Sequence, residues 1–178
     1  MKPWKTLSRT TILDHSKWLK VEDHTIELPD GKILDKWCWL VSPDYVNVVV
    51  ENTDGDFVCF RQTKYAVDGV SLEPVGGYVE RGENPLECAK RELREEMGFH
   101  AQDWIGLGRF PCDGNHGNGF ANLFLARGAH QVGESIADDL EEQEMITLSR
   151  TELMNALLNG EFKVLSWSTA VALALFRV

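Results

Sequence analysis

Residues 84–98 carry their own start and stop signals, and they constrain the fold more tightly than any other part of this 178-residue chain. Asn84 is a good helix N-cap, Pro85 suits the first helical position, and Glu87 stands three residues after the cap as in a capping box. Gly98 supplies the stop. Between these limits Leu86, Ala89, Leu93 and Met97 share one face, the apolar stripe that anchors such a helix. Glu92, Glu95 and Glu96 gather to one side of it, within roughly one third of the circumference at about 100° per residue, with Arg91 further round. Like charges at these spacings oppose a helix by roughly 0.2–0.5 kcal/mol per pair, so the cluster calls for a compensating cation. A hard divalent ion is the natural candidate, because Mg²⁺ takes carboxylate oxygens and is completed by waters and substrate phosphates. The plainer alternative is a solvated acidic helix face.

The flanking sequence is rich in strand signals. Residues 17–42 alternate as strands around the turn Pro29-Asp30-Gly31, which predicts an N-terminal hairpin. Val46–Val50 and Phe57–Phe60 form a second hairpin across Asn52-Thr53-Asp54-Gly55-Asp56. After the helix, residues 104–109 and 120–126 read as strands around a glycine- and asparagine-rich loop, 113–119, expected to be mobile. Ser149 and Glu152 form a second capping-box signature, and Ser166 precedes an apolar stretch, Ala170 to Phe176, expected to be a buried helix. The order is that of a mixed α/β fold with sheet and helices in layers.

With 43% apolar and 26% charged residues, the composition is that of an ordinary globular chain with one sizeable core. The net charge of −10 argues against nonspecific nucleic-acid binding, which relies on Lys and Arg, but leaves room for a small phosphorylated ligand bridged by a divalent ion. Cys38, Cys59, Cys88 and Cys112 have no zinc-type or redox-type spacing and read as free thiols. No apolar run follows the charges of the first five residues, and none reaches the length of a membrane span, so a cytoplasmic location without membrane attachment is expected.

Gly77, Glu83, Arg91, Glu92, Leu93, Glu95, Glu96, Gly98 and Phe99 match every fixed position of the 23-residue Nudix box, and the chain therefore resembles the Nudix hydrolases. Upstream, Arg61-Gln62-Thr63-Lys64-Tyr65-Ala66 and Ser71-Leu72-Glu73-Pro74-Val75-Gly76-Gly77 are similar to segments of the ADP-ribose and nucleoside-diphosphate-sugar pyrophosphatase branch. Trp18 to Val21, Leu28 to Lys32, Leu123 to Ala126 and Glu141 to Glu144 also resemble parts of that branch. The likeness covers roughly residues 15–175, strongest in the box. It selects the Nudix-type α/β/α sandwich with an N-terminal β-hairpin extension from among the mixed folds. The implied division is a β extension over 1–44, a possible dimerisation element, and a Nudix hydrolase domain over 45–178.

The same resemblance implies roles. Glu92, Glu95 and Glu96 are expected metal ligands with the Gly76 carbonyl, Arg91 orients the carboxylates, and Glu83 supports the loop-helix geometry or an outer-shell water. The expected cofactor is Mg²⁺, with Mn²⁺ a possible substitute. Arg61 and Glu73 are expected at the substrate, through phosphate and through a ribose hydroxyl or a metal water, each with a strand-edge ion pair as its alternative. Trp18, Trp37 and Trp39 lie in the hairpin that in this branch reaches across a homodimer to stack on the base, although Trp37 and Trp39 also suit a dimer core. The expected reaction splits the pyrophosphate of a nucleoside diphosphate linked to a second moiety, ADP-ribose or a nucleotide sugar first, into a nucleoside monophosphate and a sugar phosphate. The loop over 113–119 lacks the glutamate that commonly serves this branch as general base, and a branch-typical proline is also missing from it. Lys64 stands where arginine is usual. His116, Glu142, Glu144 or a box glutamate are the candidate bases. A Nudix hydrolase of dinucleotides or nucleoside triphosphates is the second reading, and a noncatalytic nucleotide-binding Nudix-like regulator the third.

Overall fold

The protein is described from a computed structural model covering residues 1–136 and 142–177. Glu141 lies outside the described residues. In chain order the elements are β1 (Lys5–His15), β2 (Leu19–Glu27), β3 (Ile33–Val41), β4 (Tyr45–Asn52), β5 (Phe57–Thr63), β6 (Val70–Glu73), β7 (Val75–Tyr78), α1 (Pro85–Met97), β8 (Phe99–His100), β9 (Asp103–Asp113), β10 (Gly117–Gln131), β11 (Gln143–Leu148), α2 (Arg150–Leu158) and α3 (Leu165–Leu175). The chain divides into two compact units, Met1–Asp44 with Phe110–Phe120, and Tyr45–Arg109 with Ala121–Val178.

In the first unit β1, β2 and β3 form an antiparallel meander, with Lys5 opposite Glu27 and Lys20 opposite Val41. The turn at Pro29-Asp30-Gly31 is closed by Leu28 N–H donating to Lys32 O at 2.8 Å and Gly31 N–H donating to Leu28 O at 2.9 Å. Strand β1 lies ahead of residue 17, where the strand pattern of the sequence starts. Every residue of β1 is exposed, so it has no buried alternating face to announce it, and Thr6, Thr10, Thr11 and Ile12 supply only strand propensity. The stretch expected to be a mobile loop is shorter than anticipated, because β9 and β10 run on to Asp113 and from Gly117. Asp113 Oδ1 accepts from the N–H groups of Asn115 at 2.7 Å and His116 at 2.8 Å, which ties the turn between them.

In the second unit the sheet has helices on both faces. Val46, Val48, Val50, Val58, Phe60 and Val75 pack with Cys88, Ala89, Leu93 and Met97 of α1. Val49, Phe57, Cys59, Leu123 and Leu125 face the other way, against Leu153 of α2 and Trp167, Ala170 and Val171 of α3. Alternate residues of one strand thus enter two different cores, which explains the nearly unbroken apolar run at 46–50. This is the α/β/α layering that the resemblance led us to expect. At β4 the sheet is parallel to β10 and antiparallel to β7, with Asn47 opposite Gly76 and Val46 opposite Gly77. That pairing sets the Gly76-Gly77 backbone on the α1 side of the molecule's second unit.

The apolar C-terminal helix forms, but it starts at Leu165 with Val164 at its cap, so Ser166, expected to precede the apolar stretch, lies within the helix. Among the described residues, no helix is long and apolar enough to cross a membrane.

Candidate active site

Helix α1 is built much as its sequence demands. Asn84 Oδ1 accepts from Leu86 N–H at 2.9 Å, Pro85 opens the first turn, and Gly98 closes the last with φ 69°, donating to Arg94 O. The expected capping box at its start is absent, because the Glu87 carboxylate instead accepts from Lys90 Nζ at 2.8 Å. Cys88, Ala89, Leu93 and Met97 are buried, and Glu92 rides the same flank with only 9% exposure.

The reason a carboxylate can be buried there lies in the neighbouring strand. Gly77 has no side chain, and a Cβ added to it would fall on the Glu92 carboxylate. At Gly76 a Cβ would lie 2.5 Å from Asn47 Nδ2 and 2.6 Å from Val46 O. The Gly76 N–H donates to Glu96 Oε2 at 3.4 Å. Of the two bare backbone positions of β7, Gly77 therefore makes room for Glu92 of α1 and Gly76 for Asn47 of β4. Burial pushes the Glu92 carboxyl above its ordinary range, against the opposing pull of Arg91.

Arg91 gathers the remaining acids. Its Nε and Nη2 donate to Glu83 Oε1 and Oε2 at 3.0 and 3.1 Å, and its Nη1 donates to Glu92 Oε1 at 2.7 Å and Glu95 Oε2 at 3.1 Å. Nη2 also reaches Tyr78 O at 3.4 Å. A helical wheel sets Arg91 apart from the glutamates, but its long side chain bends back among them. Hydrogen bonds from Arg91, reinforced by the Glu80 N–H at 2.9 Å, hold the Glu83 carboxyl down to about 2. The same partnership with Glu83 raises Arg91 well above its already high range.

This oxygen-rich arrangement fits a hard divalent ion. Its donors are carboxylates and backbone carbonyls, the set that Mg²⁺ and Mn²⁺ favour. Beside it, Asn47 Oδ1 is buried without a hydrogen-bond partner among the described residues. Among the described residues no three His, Cys, Asp or Glu side chains already stand together as a metal cage. Arg91, bonded to Glu92 and Glu95, places positive charge beside these carboxylates. Asn47 escaped the sequence reading, although an amide inside the run Val46-Asn47-Val48-Val49-Val50 was a signal that one buried position serves something polar.

The other anticipated residues have partners of their own. Arg61 on β5 is exposed and directly opposite Glu144 on β11, donating to its carboxylate at 3.0 Å. Glu73, the last residue of β6, is 8% exposed with Lys64 Nζ at 3.6 Å. Glu142 is exposed. In the first unit Trp37 is stacked on His116 with centroids 5.5 Å apart, meets the edge of Trp4, and donates from Nε1 to Asn115 O at 2.9 Å. Trp39 stacks on buried His24, while Trp18 remains 48% exposed with Lys17 Nζ over its ring. His116 Nδ1 lies 2.8 Å from Cys38 O, so this histidine is anchored by the meander and is not a freely solvated loop residue. All four cysteines are free thiols, and burial pushes Cys59 and Cys88 up to about 12.

Comparison with known proteins places this geometry in a family. A NUDIX domain is matched over residues 41–167, and a nucleoside diphosphate sugar hydrolase N-terminal domain over residues 4–37. The chain is 28% identical over 139 residues to an ADP-ribose pyrophosphatase of Bacillus subtilis (strain 168), covering 78% of this chain and 72% of that protein. It is 27% identical over 153 residues to a methanol dehydrogenase activator of Bacillus methanolicus, covering 86% and 80%. A crystal structure of an ADP compounds hydrolase superposes with a TM-score of 0.80 at 21% identity, covering 98% of this chain and 93% of that one, and so shares the fold. With the complete box running from Gly77 of β7 through α1 to Phe99 and the matched domain spanning most of its length, the chain belongs to the NUDIX domain family and is a Nudix hydrolase.

Proposed function

We propose that this enzyme hydrolyses the pyrophosphate bond of a nucleoside diphosphate joined to a second moiety, ADP-ribose or a nucleotide sugar first, in the presence of Mg²⁺ or Mn²⁺. The products are a nucleoside monophosphate and a sugar phosphate. The observation that carries this reading is the seating of Glu92 over Gly77 with Glu96 turned to the Gly76 N–H. Glu92, Glu95, Glu96 and the Gly76 carbonyl would hold the cation. When bound, a divalent ion supplies activated water at neutral pH and offsets charge on the diphosphate.

The chain's own contribution is positioning. Arg91 orients Glu92 and Glu95, and Glu83 fixes Arg91 through two parallel hydrogen bonds. Arg61 serves the phosphates and Glu73 a ribose hydroxyl. Of the tryptophans, Trp18, 48% exposed, is our first choice for base stacking, with Trp37 second. The general base comes from the box glutamates, since His116 is held by Cys38 O and Trp37.

The N-terminal segment 1–44 acts as an extension to the hydrolase domain over 45–178 and mediates a homodimer. Exposed Leu7, Ile12 and Leu13 on β1 support that role. Four free thiols and a net charge of −10 support a cytoplasmic enzyme acting on a small molecule, without nucleic-acid or membrane partners.

One hydrolysis screen over ADP-ribose, nucleotide sugars, dinucleotides and nucleoside triphosphates, with Mg²⁺ and Mn²⁺ and product identification, tests the reading. AMP with ribose 5-phosphate supports it. Turnover confined to triphosphates with release of pyrophosphate would replace it with the second reading, which the missing loop glutamate permits.

A further inference from the structure

Beyond the α1 carboxylates, the second unit carries a pair of histidines in a different chemical setting. His100 on β8 and His130 on β10 are directly opposite each other in an antiparallel register. Side chains so paired have Cβ atoms about 4.5–5.5 Å apart. Both are exposed, and their rings meet edge to face with centroids 5.9 Å apart. His130 Nδ1 lies 3.4 Å from Gly128 O. A proton on Nδ1 directed at that carbonyl leaves the lone pair on Nε2, the arrangement in which imidazole binds a metal.

We propose that His100 and His130 form a surface site for a borderline divalent cation of the Zn²⁺, Ni²⁺ and Cu²⁺ class, completed by water and separate from the hard-cation site of the box. A tetrahedral ion bonded at about 2.0–2.1 Å to both rings sets their centroids about 5.2 Å apart. The observed separation of 5.9 Å is close to that, and two exposed side chains are free to turn from their edge-to-face packing until both Nε2 atoms face the ion. Imidazole selects this class over Mg²⁺, which prefers oxygen. The bound ion clips the two-residue strand β8, which directly follows the Gly98 cap of α1, to β10.

The test is titration of untagged protein with Ni²⁺ in excess Mg²⁺, followed by calorimetry and by thermal unfolding. The wild type should take up one histidine-dependent Ni²⁺, and its melting temperature should rise with Ni²⁺ concentration, since a ligand that binds only the folded state stabilises it. His100→Gln and His130→Gln should each weaken uptake by at least about tenfold, the lower end of what losing even a ligand's partner costs. His15→Gln, on exposed β1, should leave uptake unchanged. Circular dichroism will show whether each variant is folded. The proposal is overturned if folded wild type shows no histidine-dependent uptake, or if either paired variant binds as the wild type does. Hydrolysis of ADP-ribose is not needed for this readout, so failure here leaves the assignment of the box untouched.

Discussion

Arg91 grips Glu83, eight residues earlier in the chain, through two nearly parallel bonds, Nε to Oε1 at 3.0 Å and Nη2 to Oε2 at 3.1 Å. The remaining nitrogen, Nη1, is thereby left to Glu92 and Glu95. One guanidinium therefore ties the loop before α1 to the acids on it, and a bidentate grip of this kind fixes direction as well as distance.

That grip gives stability a pH dependence. The folded Glu83 carboxyl is held down to about 2 from an ordinary 4.5, so the unfolded chain binds its proton first as the pH falls. The stabilisation is complete above about pH 4.5 and is lost progressively toward about pH 2. In Glu83→Gln that portion of the acid sensitivity should vanish. Urea unfolding between pH 2 and 6 measures it, and parallel pH profiles for the two proteins would count against the pairing.

Gly77→Ala puts a methyl group where the Glu92 carboxylate sits. The carboxylate or strand β7 must move, and we expect kcat/KM to fall by at least about tenfold, roughly 1.4 kcal/mol. Mn²⁺ affinity should weaken in parallel, while circular dichroism remains that of the wild type. Unaltered turnover would mean that the contact of Glu92 with this strand is dispensable.

His116→Ala removes the stack on Trp37 and the contact with Cys38 O. We expect a stability loss of about 1 kcal/mol. Turnover should change by less than about threefold, below 1 kcal/mol in barrier. A kinetic defect as deep as that of a box glutamate would make His116 the general base after all.

Ser149→Ala tests the helix that starts under the second core. Ser149 Oγ accepts from Glu152 N–H at 3.3 Å and the Glu152 carboxylate accepts from Ser149 N–H at 2.8 Å, closing a capping box. Its loss should cost about 1 kcal/mol of stability with activity unchanged, read by denaturant unfolding beside a turnover assay.

Helix α1 was legible because its signals are local: Asn84, Pro85 and Gly98 act within one turn of the residues they cap. The two-sided sheet came from the family resemblance, because Val46 to Val50 alone reads as one strand of a hairpin and its two faces are settled by distant partners on α1, α2 and α3. What the sequence hides is contact between distant residues. Nothing in local spacing shows that Trp37 stacks on His116, or that Arg61 finds Glu144 as its cross-strand partner. β1 was invisible for another reason, because all eleven of its residues are exposed and no burial pattern marks it. The reach of Arg91 was lost because a helical wheel records where a side chain leaves the backbone, and a guanidinium ends several ångströms from there.

The most direct measurement of the central claim is calorimetric titration of Mn²⁺ into wild-type protein and Glu96→Gln, paired with turnover of ADP-ribose. Glu96 turns one carboxylate oxygen to the Gly76 N–H, and the amide removes its charge with little change in shape. The account expects saturable Mn²⁺ binding by the wild type, weakened in the variant, and a rate loss of at least about a hundredfold, on the order of 2.7 kcal/mol. Folded wild-type protein that takes up no divalent ion, with or without nucleotide, or a variant with undiminished turnover, would contradict it.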